Sequence, residues 1–177
     1  MDQFSDRMLR AAKLEPGVYE EVEADRGAMR QAMGVVVLSS LAAGFGVVTS
    51  QGLSGMLMGT LAALVSWYVW ALLTYFIGTR LLPTPQTQAD MGELLRTIGF
   101  SSAPGLIRIL GIIPFLRGIV FLVAGIWMLV AMVVAVRQAL DYDSTLRAVG
   151  VCCIGWLIQI LLIALFFSLF GGMPQPA

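Results

Sequence analysis

The stretch Leu94–Arg117, LLRTIGFSSAPGLIRILGIIPFLR, decides how the chain is organised. It is the one apolar run long enough to cross a membrane that also carries charge away from its ends. An ionisable side chain at mid-depth costs about 2.5–3.5 kcal/mol on insertion scales, so Arg108 marks a segment that does more than anchor the chain. Pro104 removes a backbone hydrogen bond and predicts a kink or break, and nearby serine hydroxyls can satisfy the freed carbonyls. The candidate functional residues of this stretch are Gly99, Ser101, Ser102, Pro104 and Arg108.

The composition identifies an integral membrane protein. Of the 177 residues, 58% are hydrophobic and 12% are charged, whereas soluble domains are roughly half apolar and about a quarter charged. Histidine, the commonest metal ligand, is absent. Cys152 and Cys153 are adjacent, too close for ordinary disulfide geometry, and are interpreted as small hydrophobic residues. We therefore expect no metal and no cofactor.

The positions of the charges exclude several classes of enzyme and pump. All eleven acidic residues lie at 2–25, 90–93 and 141–143, so no carboxylate can carry protons or bind a cation deep in the membrane. Intramembrane proteolysis would need a Ser–His dyad or paired aspartates at that depth, and neither set exists. There is no P-loop, HExxH or GxGxxG motif, and no polybasic patch. We predict a protein that is not an enzyme and has no nucleic-acid partner.

Charge-free runs predict the membrane spans. No charged residue lies between Arg30 and Arg80, a run about twice what one crossing of ~20 residues needs, so it must cross twice. The polar and glycine-rich sequence at 49–55 divides it. The prediction is an all-α polytopic membrane helical bundle of five transmembrane helices, near 31–49, 56–79, 94–116, 118–136 and 146–170. A helical leader at 1–30 precedes this membrane domain, and a short tail at 171–177 follows it.

Small residues at four-residue spacing indicate a helix-packing ridge at the start of the second span. Gly55, Gly59 and Ala63 would let two helix backbones approach closely where no hydrophobic effect drives helices together. Chance in helices rich in glycine and alanine is the alternative, and it stays open.

The leader is predicted to form two short helices. It lacks the pattern of a signal peptide, so we expect it to be retained. Phe4, Met8, Ala11 and Ala12 recur at helical spacing, which suits a helix lying in the headgroup plane or, equally, a solvated helix. Pro16 is well placed as the first residue of the second helix.

Three passages together resemble the Yip1 domain family, in its bacterial branch. They are LEPGVYEEVEAD in the leader, LLRTIGFSSAPGLI in the third run and IWMLVAMVVAVRQALD at the end of the fourth. Gly99-Phe100 through Pro104 is similar to the family's Gly-aromatic…Pro motif, and Trp127 with Arg137-Gln138 carries the rest of the resemblance. Trp127, Arg137 and Gln138 therefore join the candidate residues.

The resemblance implies a five-span protein with a cytoplasmic N-terminus. Eukaryotic members of the family engage prenylated small GTPases, but no DLYGP motif precedes the first span here, so GTPase binding is not carried over. The leading hypothesis is a non-enzymatic scaffold of the bacterial inner membrane that organises lipids or partner membrane proteins, or self-associates. A small transporter or channel with a broken third helix is the alternative, although no internal duplication is visible. An accessory subunit of a larger complex is a third hypothesis.

The sequence leaves two questions open. Arg108 can snorkel to an interface, bond backbone carbonyls and serine hydroxyls, or meet a lipid phosphate. The number of spans is the other question, because Lys and Arg divide nine against two in both a five-span and a four-span topology. The 23 residues of Leu94–Leu116 are enough for a crossing, so we expect five spans and a C-terminus outside the cytoplasm.

Overall fold

The structure, a computed structural model, describes residues 2–46 and 48–170, and this part of the chain is helical without a β-strand. The predicted tail at 171–177 lies outside the described residues. A π-helical turn, Ile77–Leu81, extends the fourth α-helix, and a 3₁₀ helix, Ala103–Ile112, follows the fifth. The α-helices are α1 Gln3–Ala12, α2 Pro16–Ala24, α3 Ala28–Gly46, α4 Val48–Phe76, α5 Met91–Phe100, α6 Arg117–Ala139 and α7 Thr145–Phe170.

Among the described residues, four helices are long and apolar enough to cross a membrane: Ala28–Gly46, Gly52–Leu81, Arg117–Ala139 and Thr145–Leu162. The prediction of a polytopic membrane helical bundle is thereby confirmed. Leucines on the outer faces, such as Leu57 and Leu161, are more than half exposed, as expected for side chains that face lipid tails. The backbone of α4 is non-helical at Gly52, where φ is 65°, inside the break predicted at 49–55.

The third predicted span is not among these four helices, because it is divided. We call residues 91–112, comprising α5 and the 3₁₀ helix, the third segment. The third segment lies against α3 and runs in the same direction. A Cβ atom added to Gly99 would lie 2.7 Å from Ala32 Cβ, and one added to Gly111 would lie 3.5 Å from Gly46 Cα. The two elements stay in contact from early in α3 to its last residue, and the absence of side chains at these glycines permits the close approach.

The remaining spans surround this central pair. On one side, α6 packs along both parts of the third segment. On the other, α4 is joined to α3 by a hydrogen bond between Ser40 Oγ and Thr60 Oγ1 (3.2 Å), and to α5 by one from Trp67 Nε1 to Leu95 O (2.9 Å). The last helix, α7, packs on α6 and α4.

The leader helices are part of the packed structure. Tyr19 and Val22 of α2 and Ala11 of α1 are fully buried in one cluster with residues of α3, α6 and the third segment, and Phe4 and Met8 pack against that cluster. The apolar face of α1 thus covers the bundle, which neither the headgroup-plane nor the solvated-helix interpretation anticipated, because burial of that face depends on α2 and α3. Pro16 is the first residue of α2, as predicted.

In the sequence, Thr87 followed three residues later by Asp90 resembles a capping box, but the start of the third segment is capped differently. Asp90 is itself the N-cap: its Oδ1 accepts from Glu93 N (2.8 Å), and Glu93 Oε2 accepts from Asp90 N (2.7 Å). Thr87 instead bonds to Thr84 within the preceding loop. The helix therefore begins at Met91, a turn later than a Thr87 cap would start it.

Candidate functional site

The break in the third segment follows from Pro104 and its neighbours. After α5 ends at Phe100, the chain continues as ten residues of 3₁₀ helix with Pro104 at its start. Such helices rarely exceed three or four residues, because their hydrogen-bond geometry is poorer than that of an α-helix. Ser101 Oγ donates to Ile98 O at 2.7 Å, a carbonyl close to the break, whereas Ser102 makes no side-chain hydrogen bond among the described residues. Gly99, Ser101 and Pro104 are buried, whereas Ser102 is half-buried.

Arg108 lies on the 3₁₀ helix, and its guanidinium is directed back along α3. The backbone carbonyl oxygen of Arg108 lies beside Gly46, the last residue of α3. Its Nη2, however, donates to Ser39 Oγ (2.7 Å) and Ser39 O (3.3 Å), and its Nε donates to Gly105 O (3.0 Å). Ser39 lies seven residues before Gly46, about 10 Å along the helix. The side chain thus extends toward the middle of α3 and away from its end, the opposite of snorkelling to the interface beside Gly46.

The third segment, α3, α4 and α6 enclose an open cavity of about 520 Å³, and Arg108 is part of its wall. Four serines of three elements also line it, namely Ser39, Ser40, Ser66 and Ser102. Most of the other lining side chains are apolar, among them Trp67, Trp70 and Phe121. A charged group and several hydroxyls therefore share one space inside an apolar bundle.

The small-residue ridge Gly55, Gly59 and Ala63 lines the same cavity. A Cβ atom added to Gly59 would meet no atom of the described residues within 4 Å. The ridge therefore borders open space within this chain at Gly59, and its role in helix packing stays a prediction.

The three candidate residues of α6 all contact the leader or the loop that follows α6. Trp127 Nε1 donates to Ala12 O of α1 at 2.8 Å, and Gln138 Nε2 donates to Glu20 Oε1 of α2 at 2.7 Å. Arg137 Nε donates to Tyr142 O at 3.1 Å and holds the loop between α6 and α7. These residues are thus brought to the leader side of the bundle, apart from the cavity around Arg108.

Sequence reasoning missed two arginines that fix the leader. Arg7 of α1, only 3% exposed, pairs with Glu21 and Asp25 at 2.8 Å each. Arg96 of α5 donates from Nε to Val22 O at 2.9 Å and from Nη2 to Glu23 O. For the ion pairs of Arg7, the only indication in the sequence was the run of acidic residues that follows it. Nothing in the sequence of the third run paired Arg96 with a partner 74 positions away.

An acidic groove of about 690 Å³ lies where α2, α5 and the loop after α6 meet. Burial, together with the negative charges of Glu93 and Asp141, raises the pKa of Glu23 to about 7. In contrast, hydrogen bonds from Arg7 and Arg10 hold the pKa of Glu21 below its usual range. Among the described residues, no group of His, Cys, Asp and Glu side chains is arranged to hold a metal ion.

Comparison with known proteins finds a family model that covers most of the chain. Residues 22–167 match the family model described as Yip1 domain. The matched range includes the whole third segment, the cavity and the three candidate residues of α6, while α1 lies ahead of it. No curated protein and no solved structure matches the chain.

Proposed function

Because the chain belongs to the Yip1 domain family, a family of non-enzymatic membrane proteins, we propose that it is a five-span membrane protein that organises membrane lipids or partner membrane proteins and catalyses no reaction. The observation that carries the proposal is the open cavity walled by Arg108, Ser39 and the exposed Gly59. A mostly apolar cavity that also holds a charged group and several hydroxyls suits an amphiphilic occupant, and no carboxylate lies in its wall to support proton or cation chemistry.

We propose that the third segment also crosses the membrane, which brings the number of crossings to five. Ten α-helical residues rise about 15 Å, and ten 3₁₀ residues rise about 20 Å. The sum of about 35 Å exceeds the ~30 Å hydrocarbon core, so the stretched 3₁₀ geometry compensates for the break. The contacts with α3 from Ala32 to Gly46 support the same path. In this arrangement the protein spans the bacterial inner membrane five times. Its leader is cytoplasmic, and its C-terminus lies outside the cytoplasm.

Two reporter fusions test this topology. A phosphatase that folds only in the periplasm should be active after Ala177 and inactive when inserted at Asp143, in the loop between α6 and α7. A re-entrant third segment would reverse both results, because α6 and α7 would then exchange directions. Each fusion is therefore the control for the other.

Site-specific photo-crosslinking in membranes tests the organising role. A photoreactive methionine analogue at Met128, whose side chain already lines the cavity, should yield adducts of a few discrete masses, from lipid or protein. The matched control is the same residue at Leu161, which is 68% exposed on α7 and does not line the cavity. Indistinguishable adducts at the two positions would contradict a specific occupant.

A small transporter or channel is the second candidate, and the broken third segment beside the cavity favours it. Solute flux into proteoliposomes distinguishes the two functions. Our proposal expects the same flux as in protein-free vesicles. Flux that disappears in Gly59→Leu, which fills the cavity, would favour the transporter.

A further inference from the structure

We infer that the cavity binds the phosphate of a phospholipid, with Arg108 and neighbouring serine hydroxyls on the headgroup and the apolar wall against the acyl chains. This inference rests on the proposed membrane-organising function and names the chemical class of the lipid.

The first argument is the incomplete hydrogen bonding of Arg108. A guanidinium has five N–H donors. Nε uses its one donor on Gly105 O, and Nη2 uses its two on Ser39 O and Ser39 Oγ. Nη1 donates to no atom of the described residues, and none of their carboxylates pairs with this arginine. One edge of a permanently charged group in the cavity wall thus lacks an acceptor.

Two serine hydroxyls add to this set of donors. Ser66 of α4 and Ser102 of the third segment line the cavity, and neither makes a side-chain hydrogen bond within the part of the chain that the structure describes. Donors without acceptors are costly where hydrocarbon replaces water. A ligand that brings several acceptor oxygens and a negative charge would satisfy the arginine and both hydroxyls together.

The geometry of the donors favours phosphate. The two N–H groups left on Nη1 can donate charge-assisted hydrogen bonds to phosphate oxygens, and such bonds are stronger than neutral ones. Ser39 already holds Nη2 in place, which leaves the Nη1 edge positioned without loss of side-chain freedom on binding.

The remaining wall favours a lipid over a soluble phosphate. Its apolar side chains include Val36, Ala43, Met56, Trp67, Trp70 and Phe121. A free phosphate would lose its hydration against these side chains without compensation, whereas a phospholipid buries its own acyl chains against them.

Native mass spectrometry of the purified full-length protein tests the inference with three probes. They are phosphatidylglycerol, a diacylglycerol with the same acyl chains, and inorganic phosphate. Phosphatidylglycerol should bind at least about tenfold more tightly than diacylglycerol, since only the former presents phosphate oxygens to the guanidinium. Arg108→Gln should weaken phosphatidylglycerol binding about tenfold. The exposed Arg26 of the leader provides the matched control, and Arg26→Gln should leave binding unchanged.

A second variant keeps the test decisive if Arg108→Gln does not fold. Gly59→Leu places a side chain into the cavity from a position where the Cβ meets no atom within 4 Å. It should displace phosphatidylglycerol while the melting temperature is retained.

Three results would each overturn the inference. They are equal phosphatidylglycerol binding by the wild type and both cavity variants, equal binding of diacylglycerol and phosphatidylglycerol, and displacement of the lipid by an equal concentration of inorganic phosphate. The last result would assign the site to a soluble anion. None of these results bears on the reporter fusions or on discrete crosslinks at Met128, so failure of this inference is distinguishable from failure of the proposed function.

Discussion

Trp127 of α6 donates a hydrogen bond of 2.8 Å from Nε1 to the carbonyl oxygen of Ala12, the last residue of α1. The two residues are 115 positions apart. The acceptor is one of the final carbonyls of α1, which have no partner within the helix. A side chain from a membrane span thus holds the end of a leader helix in place.

Trp127→Phe should loosen α1 without unfolding the bundle. An aromatic ring is kept, although a smaller one, and the loss of the indole N–H removes the hydrogen bond at a cost of about 1 kcal/mol. Amide hydrogen exchange in α1 should accelerate, while exchange in α6 stays the same. Trp156→Phe, at a residue 47% exposed on α7, should leave α1 unaffected. Equal exchange in the two variants would contradict a holding role for Trp127.

Arg7→Met should destabilise the protein more than Arg10→Met. Arg7 is 3% exposed and bonds to Glu21, Asp25 and Gln31 at 2.8–2.9 Å, whereas Arg10 is 30% exposed. We expect a loss of about 2 kcal/mol for the first variant and of less than about 1 kcal/mol for the second. Thermal melting in detergent measures both. Similar shifts would mean that the Arg7 pairs contribute no more than an ordinary surface ion pair.

Docking of α2 should weaken as pH rises from about 5 to 8. Burial and then the charges of Glu93 and Asp141 raise the pKa of Glu23 from an ordinary 4.5 to about 7 in the folded protein. The folded state therefore binds more protons than the unfolded state between these values. The contribution of protonated Glu23 to the stability of the folded state is fully present below pH 4.5 and is lost as pH rises through about 7.

Other charges do not obscure this dependence. The charge of Arg96 lowers the pKa of Glu23, and the charge of Glu20 raises it. Glu21 stays ionised between pH 5 and 8 because its pKa is lowered. The sequence has no histidine that could titrate in this range. Glu23→Gln should be as stable at pH 8 as the wild type at pH 5 and should show a flatter profile. Proteolysis of the leader as a function of pH measures this. A wild-type profile that is flat, or that rises with pH, would exclude Glu23 as the titrating group.

Alanine at two glycines should give opposite results. Gly99→Ala places a Cβ 2.7 Å from Ala32 Cβ, and overpacking of this kind costs about 1–3 kcal/mol. Gly59→Ala meets open space and should be neutral, or stabilising by up to about 1 kcal/mol through helix propensity. Melting temperatures of the two variants provide the test. A loss at Gly59 as large as that at Gly99 would instead support the packing ridge expected from the sequence.

Local and compositional features of the chain can be predicted from its sequence. The lengths of the apolar runs predicted where the four long spans lie, because a bilayer crossing needs about 20 residues. Pro16 and Pro104 marked a helix start and a helix break, because a missing N–H and a fixed φ act on the chain next to the proline. The same reasoning singled out Arg108, since charge within an apolar run is visible in one dimension.

The sequence could not assign partners to those residues. Arg108 faces Ser39 across 69 positions, Arg96 faces Val22 across 74, and Trp127 faces Ala12 across 115. Each contact exists only because the third segment packs between α3 and α6 and the leader folds back onto that pair.

The sequence by itself determined that this is a membrane protein, where its apolar helices lie and where one of them breaks. The tertiary structure decided the direction of the Arg108 guanidinium, the cavity around it, and the docking of α1 and α2. The physical reason is that hydropathy and proline act over a few neighbouring residues, whereas a hydrogen bond to a distant carbonyl depends on how whole helices pack.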